Sequence, residues 1–166
     1  MPASDWTQFT KRITIKAPPK SIYDAWTTQA GLESWFLRMA SFTKPDGSPR
    51  LKNSNIEAGD TYEWFWYGYD DTTSETNKIL SANGWDALSF LFSGGCKVTI
   101  AIKQENGETI CELLQQMPMD DEDQRQHFFI ECGTGWTFYL ANLKSILEGG
   151  IDLRNKNHNI THVVNA

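Results

Sequence analysis

The longest regular pattern of apolar and polar positions runs from Asp121 to Gly150 and has the period of an α-helix. At about 100° per residue, the apolar side chains fall within one stripe and the polar ones lie opposite. The acidic residues at 120–123 suit the positive end of a helix dipole, and Gly149 and Gly150 suit a helix end. The sequence therefore predicts one long helix with a buried face made of Phe129, Cys132, Gly133, Trp136, Tyr139, Leu140, Leu143 and Leu147.

The chain before this helix alternates apolar and polar residues in the manner of β-strands. A first strand lies within Asp5 to Ala17 and stops at Pro18 and Pro19, which cannot extend a strand but suit the first turn of a helix. Two short helices follow, with a break at Gly31 between them. After a long polar connection over residues 39–58, further strands are predicted at 60–67, 75–82, 85–92, 97–104 and 108–117.

These elements predict an α+β fold of the helix-grip type. A curved antiparallel β-sheet wraps around the long C-terminal helix, and the two short helices come after the first strand. At 166 residues the chain has the length of one domain, which we place at residues 1–154. Residues 155–166 show no clear periodicity and are expected to form a partly ordered tail.

Composition narrows the classes of partner and cofactor. A net charge of −6 with scattered lysines and arginines argues against nucleic acid, and no apolar run is long enough for a membrane span. The N-terminus does not resemble a secretory signal, so the cytoplasm is the expected location. No phosphate-binding or dinucleotide-binding glycine pattern is present, and no cofactor is expected. The histidines at 158 and 162 lack a third metal ligand, and the three cysteines, Cys96, Cys111 and Cys132, are expected to be buried thiols rather than metal ligands.

Aromatic residues are the main candidates for function, because the chain contains seven tryptophans. Aromatic side chains fill cores but also line pockets for apolar ligands, and composition does not separate the two roles. We expect one set to converge between the sheet and the long helix, namely Trp35, Phe36, Trp64, Trp66, Phe90, Phe92, Trp136 and Tyr139.

Few polar residues are candidates for chemistry. A carboxylate inside the cavity would lose solvation and have a raised pKa, as a general acid or base requires. Glu112 lies on a strand of ambiguous pattern and is the candidate for that position, whereas Glu63 is expected on the outer face. His127 and Glu131 lie opposite the apolar stripe and are expected to be exposed. Phe138 also lies nearly opposite Trp136, and if exposed it would mark a dimer or partner surface.

Three stretches of the chain resemble a known superfamily. They are ITIKAPPKSIYDAWTTQAGLESWF, GDTYEWFWYG and HFFIECGTGWTFYLANLKSILEGGIDLR. Together they are similar to the START-like superfamily, also called SRPBCC or Bet v 1-like, and within it to the branch named after the activator of Hsp90 ATPase. The resemblance implies a cavity between the concave sheet and the long helix, which members of the superfamily use for lipids, polyketides, hormones and other apolar small molecules.

Three functional hypotheses follow from the residues and the resemblance. The first is a non-enzymatic module that binds an apolar or aromatic small molecule under the long helix, using the aromatic set and Glu112. The second is a chaperone-associated domain that binds a protein partner, and a homodimer is considered with it. The third is a cyclase or dehydratase that uses Glu112 or Tyr139.

Overall fold

The computed structural model describes residues 5–164, and within this range seven antiparallel strands form one sheet. The strand order is β1-β7-β6-β5-β4-β3-β2, so β2 to β7 form a meander and β1 pairs with β7. The predicted helix-grip fold is confirmed. In chain order the elements are β1 (Gln8–Thr14), α1 (Pro19–Thr27), α2 (Gln29–Trp35), β2 (Met39–Thr43), β3 (Thr61–Phe65), β4 (Glu75–Ala82), β5 (Ala87–Phe92), β6 (Cys96–Glu105), β7 (Glu108–Gln116) and α3 (Glu122–Leu147).

The long helix α3 begins and ends where its sequence signals lie. The side chain of Asp121 accepts hydrogen bonds from the backbone N–H groups of Asp123 and Gln124, at 2.8 and 3.2 Å. These bonds satisfy donors that the first turn of a helix leaves free. Gly149 follows the helix with a φ of 81°, a backbone conformation that glycine adopts without strain. No helix among residues 5–164 is both long and apolar enough to cross a bilayer.

The connection predicted over residues 39–58 contains a strand that the sequence reading missed. β2 pairs with β3 at the edge of the sheet, and Ala40 and Phe42 point into the core. The loop after β2 is tied down by a buried ion pair between Arg50 and Asp60. The Nε atom of Arg50 lies 2.5 Å from Oδ2 of Asp60, and the Nη2 atom lies 2.9 Å from Oδ1. The loop is therefore fixed to the domain.

Gly31 does not separate the two short helices, as the sequence reading expected, but lies inside α2. The break is at Thr28, which has an extended backbone and accepts a hydrogen bond at Oγ1 from the Gly31 N–H, at 2.9 Å. A Cβ atom at position 31 would lie 2.3 Å from the carbonyl oxygen of Asp24. Glycine is required here because the two helices approach each other closely.

Large aromatic side chains fill the core between the sheet and the helices. Trp26, Trp35 and Trp64 are almost fully buried. The indole of Trp35 donates a hydrogen bond to the carbonyl of Ala25, at 2.9 Å, and so satisfies an acceptor near the end of α1. The ring of Trp64 stacks on Tyr62 with centroids 3.8 Å apart.

The segment after α3 is anchored by a network that we call the clasp, made of Asn142, Asp152 and Arg154. The Nη1 and Nη2 atoms of Arg154 donate to the carbonyls of Leu37 and Glu33, at 3.0 and 3.1 Å, and its guanidinium also binds Asp152. Asn142 donates to the carbonyl of Trp35 and to Asp152. The clasp thus satisfies carbonyls at the end of α2, which a helix leaves without partners.

Candidate functional site

A groove of about 500 Å³ lies beside the N-terminal half of α3, next to the ends of β3 and β5. We call it the α3 groove. One side is formed by α3 and the other by the segments that follow α2, β3 and β5, with the C-terminal tail at the rim. Its lining residues are Phe36, Trp66, Tyr69, Thr73, Phe92, Ser93, His127, Phe128, Glu131, Cys132, Thr134, Gly135, Trp136, Tyr139, Val163 and Val164.

The apolar wall of the α3 groove is a set of aromatic rings in mutual contact. Phe36 stacks on Trp136 with centroids 5.0 Å apart, and it meets Tyr139 edge to face at 4.9 Å. Trp66 and Phe92 extend the same wall. The indole of Trp136 donates to Oε1 of the fully buried Gln115, at 2.8 Å, which fixes the orientation of the ring. Contact between rings and this hydrogen bond hold the wall in one arrangement.

The aromatic residues predicted for the cavity divide into two groups. Trp35, Trp64 and Phe90 are at most 1% exposed and do not line the groove, so they fill the core behind it. The set is therefore divided between a packed core and the lining of the groove. The members that line the α3 groove are Phe36, Trp66, Phe92, Trp136 and Tyr139.

Glu112 is not part of the α3 groove, contrary to the expectation from the sequence. It lies on the other face of β7 from the buried side chains, and its carboxylate binds Lys103 Nζ at 2.8 Å and Arg12 Nε at 3.0 Å. The hydrogen bond from Lys103, together with the charge of Arg12, lowers the pKa of Glu112. The prediction of a desolvated carboxylate with a raised pKa is therefore wrong for this residue.

His127 and Glu131 are exposed, as predicted, but both lie at the rim of the α3 groove. The lining combines these exposed residues with Cys132, Trp136 and Tyr139 of the apolar stripe, so the groove opens where the stripe meets the exposed side of α3. Phe138 is half-buried, with its ring 5.3 Å from that of Tyr139. Glu63 is exposed on β3, as expected.

Burial favours the neutral forms of the three cysteine thiols and of the Tyr139 phenol. Burial raises the pKa of the Tyr139 phenol well above its usual range. Burial also raises the pKa of the Cys96 thiol to about 11 and that of Cys111 to about 12, and it raises the pKa of Cys132, which lines the groove and is half-buried. Because the thiolate is the nucleophilic form of cysteine, these thiols are poor nucleophiles at neutral pH.

Several lining residues were missed from the sequence. Tyr69 and Thr73 lie in the loop between β3 and β4, which was read only as a turn. Phe128 precedes the predicted stripe by one position. Val163 and Val164 reach the groove from the tail, and an apolar pair near the end of a mostly polar tail was the signal that could have indicated this contact.

Solved structures with the same fold come from several bacteria. The Aha1 dimer from Colwellia psychrerythraea matches with a TM-score of 0.64 at 21% identity, over 86% of this chain and 97% of the other. A protein from Staphylococcus saprophyticus matches with a TM-score of 0.68 at 17% identity, over 89% and 96%. DynU16, from the dynemicin biosynthetic locus, matches with a TM-score of 0.66 at 16% identity, over 90% of this chain and 50% of the other. A comparison with curated protein sequences finds no match.

The sequence itself matches a family model over residues 16–148, described as activator of Hsp90 ATPase homolog 1-like protein. The matched range contains the two short helices, strands β2 to β7 and the whole of α3. This match confirms the resemblance found in the sequence. The chain therefore belongs to the family of activator of Hsp90 ATPase homolog 1-like proteins, within the START-like superfamily.

Proposed function

We propose that this protein is a non-enzymatic binding module that holds an apolar or aromatic small molecule in the α3 groove. The observation that carries the proposal is the groove itself, about 500 Å³ in volume with a wall of five aromatic rings in contact. Pockets for small ligands in proteins are mostly apolar and measure roughly 300–1,000 Å³. A wall that is already ordered avoids part of the entropy cost of ordering side chains when a ligand binds.

Gly135 provides a direct test, because it lines the groove and a Cβ atom there would meet no neighbour within 4 Å. We expect Gly135→Leu to place its side chain in the groove and to lower the affinity for the neutral aromatic probe N-phenyl-1-naphthylamine by about tenfold or more. The fold should persist, since leucine favours a helix more than glycine does, by about 0.5–1 kcal/mol. Fluorescence titration measures the affinity, and thermal unfolding measures the stability.

The matched control is Gly135→Ala, which gives a similar gain in helix propensity with a much smaller side chain. It should keep the affinity of the unmodified protein within about twofold. Equal affinity in the leucine and alanine variants would count against the α3 groove as the binding site. Native mass spectrometry of gently purified protein would add the identity of a ligand that copurifies.

The structure does not place Glu112, the candidate catalytic carboxylate of the enzyme hypothesis, in the groove, because its side chain forms ion pairs outside it. Tyr139 remains in the wall, and its raised pKa favours a neutral phenol that donates a hydrogen bond rather than a base. His127 and Glu131 are at the exposed rim. These positions support binding over catalysis.

We also infer self-association through the flank of α3 next to β1, formed by Phe129, Ile130, Phe138 and Ala141. These residues line a second apolar depression of about 630 Å³, and Ile130 is 47% exposed. The similar protein from Colwellia psychrerythraea has been solved as a dimer, which supports a second copy of the chain as the occupant.

The family name also suggests a chaperone partner, to which we assign no surface. A pull-down with purified Hsp90 tests that alternative.

Analytical ultracentrifugation tests the inferred dimer. We expect a concentration-dependent dimer for the unmodified protein and a shift to monomer for Ile130→Lys, because a charge at the centre of an apolar contact is costly to bury. The control is Leu51→Lys, since Leu51 is 73% exposed on the loop between β2 and β3. A monomer at all concentrations, or equal effects of the two substitutions, would contradict this inference.

A further inference from the structure

We propose that the α3 groove selects its ligand by charge and favours an aromatic molecule that carries a basic or quaternary nitrogen over one that carries a carboxylate or sulfonate. This inference rests on the proposed function of the groove as a small-molecule site. The charges around the groove and the faces of its aromatic rings carry it.

Glu131 contributes a carboxylate at the rim of the groove, and neither lysine nor arginine is among the lining residues of the described chain, 5–164. The imidazole of His127 lies at the same rim, four positions before Glu131 on α3. A second carboxylate lies behind the lining. Glu75 accepts a hydrogen bond from Oγ of Ser93 at 3.0 Å, and Ser93 lines the groove. The site therefore offers negative charge at the rim and behind one wall.

The cations that reach the edges of the groove are already paired. Arg38 contacts the backbone carbonyl of Trp66, and its Nη2 atom lies 2.6 Å from Oδ1 of Asp71. Arg154 lies close enough to Tyr139 to affect it electrostatically, but its guanidinium binds the carboxylate of Asp152 at 2.8 Å. Among the lining residues that the structure describes, an anionic ligand would therefore find no unpaired cation.

The aromatic wall acts in the same direction as the carboxylates. The faces of aromatic rings carry partial negative charge and attract a cation positioned over them, most strongly over tryptophan. Trp66 is the partly exposed tryptophan of the wall, whereas Trp136 is only 2% exposed and has Phe36 stacked on its ring. A ligand with an aromatic body and an ammonium group could pack its ring on the wall and direct its charge toward Glu131. An anionic ligand of the same shape would meet repulsion from Glu131.

Three probes with the same aromatic body test the proposal. They are 2-naphthylmethanol, (2-naphthylmethyl)trimethylammonium and 2-naphthylacetate, titrated by isothermal calorimetry at pH 7.5 and low salt. We expect the ammonium probe to bind about tenfold more tightly than the acetate, with the alcohol between them. Because charge produces the preference, the ratio should shrink as salt is added.

Glu131→Gln should reduce the ratio of ammonium to acetate affinity by about threefold or more and leave the alcohol within about twofold. The control is Glu63→Gln, which removes an exposed carboxylate of the same type from β3, outside the groove lining. It should leave the ratio unchanged.

The possible outcomes separate the two proposals. One outcome is that Gly135→Leu weakens binding of the alcohol while the unmodified protein binds the acetate as tightly as the ammonium probe. In that case the groove is the binding site, but the proposed selection by charge is wrong. An unchanged ratio of ammonium to acetate affinity in Glu131→Gln would also contradict selection by charge. If none of the three probes binds, the proposed function fails, and the inference fails with it.

Discussion

Replacing Asp60 with alanine is expected to lower the free energy of unfolding by about 3–5 kcal/mol. Asp60 is fully buried and accepts two hydrogen bonds from Arg50 and one from the backbone N–H of Glu57, at 3.0 Å. The side chain of Arg50 is only 9% exposed, so the substitution leaves a charge without its partner in a largely buried position. Chemical denaturation followed by tryptophan fluorescence measures the change.

Glu57 provides the control for this substitution. Its carboxylate also contacts Arg50, at 3.5 Å, but its side chain is 74% exposed. Exposed ion pairs contribute roughly 0–1 kcal/mol, so Glu57→Ala should be nearly neutral. The double variant Arg50→Met with Asp60→Leu should lose less stability than Asp60→Ala alone, because it leaves no unpaired charge. Equal losses in Asp60→Ala and Glu57→Ala would show that the buried pair does not fix the loop.

The long helix and most strands could be predicted because their signals are local. The apolar stripe of α3 recurs from Phe129 to Leu147, and both ends of the helix carry the residues that cap helices. β2 was missed because it is a five-residue edge strand whose sequence, MASFT, has few strand-forming residues. Its pairing with β3 is a contact between distant parts of the chain, which no local pattern reports.

The lining of the α3 groove depends on where strands end, which the alternation of apolar and polar residues along a strand does not indicate. Trp64 and Trp66 were both expected between the sheet and the long helix, yet Trp64 is in the core and Trp66 lines the groove. The difference arises because β3 ends at Phe65, so that Trp66 lies just beyond the sheet. A periodic pattern identifies a face but not the point at which a neighbouring element stops covering it.

Glu112 was misplaced because its strand departs from simple alternation. On β7 the buried face carries the polar Gln115 beside Cys111 and Leu113, while Leu114 lies with Glu112 on the other face. Gln115 is tolerated inside because its side chain accepts the hydrogen bond from the Trp136 indole. That partner comes from α3, 21 residues later in the chain, so the strand alone could not reveal it.

The clasp joins the stability of the domain to the geometry of the α3 groove. Arg154 is the buried end of the segment that follows α3, and residues 155–164 continue from it to the groove rim at Val163 and Val164. Its guanidinium also lies over the ring of Tyr67, 5.2 Å from the centroid. Loss of Arg154 would therefore free the tail as well as the carbonyls at the end of α2.

Arg154→Leu is accordingly expected to lower the free energy of unfolding by about 3–5 kcal/mol, because it removes the guanidinium from Asp152 and leaves two backbone carbonyls without their donor. We also expect weaker binding of N-phenyl-1-naphthylamine, since Val163 and Val164 would no longer be held at the rim. The control is Lys156→Ala, which removes a half-exposed partner of the same carboxylate, 3.1 Å away, and should cost roughly 0–1 kcal/mol.

The pH dependence of stability distinguishes loss of the clasp from loss of packing alone. Partial burial acts to raise the pKa of Asp152, but hydrogen bonds from Arg154, Lys156 and Asn142 outweigh it and hold the pKa well below its usual range. Because the folded pKa is depressed, Asp152 stabilises the fold above the pKa of an unfolded aspartate, about 3.9, and this contribution is lost as the pH falls below that value. Arg154→Leu should therefore flatten the decline in stability between roughly pH 4 and pH 2, whereas Lys156→Ala should keep most of it. A decline of unchanged steepness in Arg154→Leu would mean that Asp152 does not depend on the clasp for its charge.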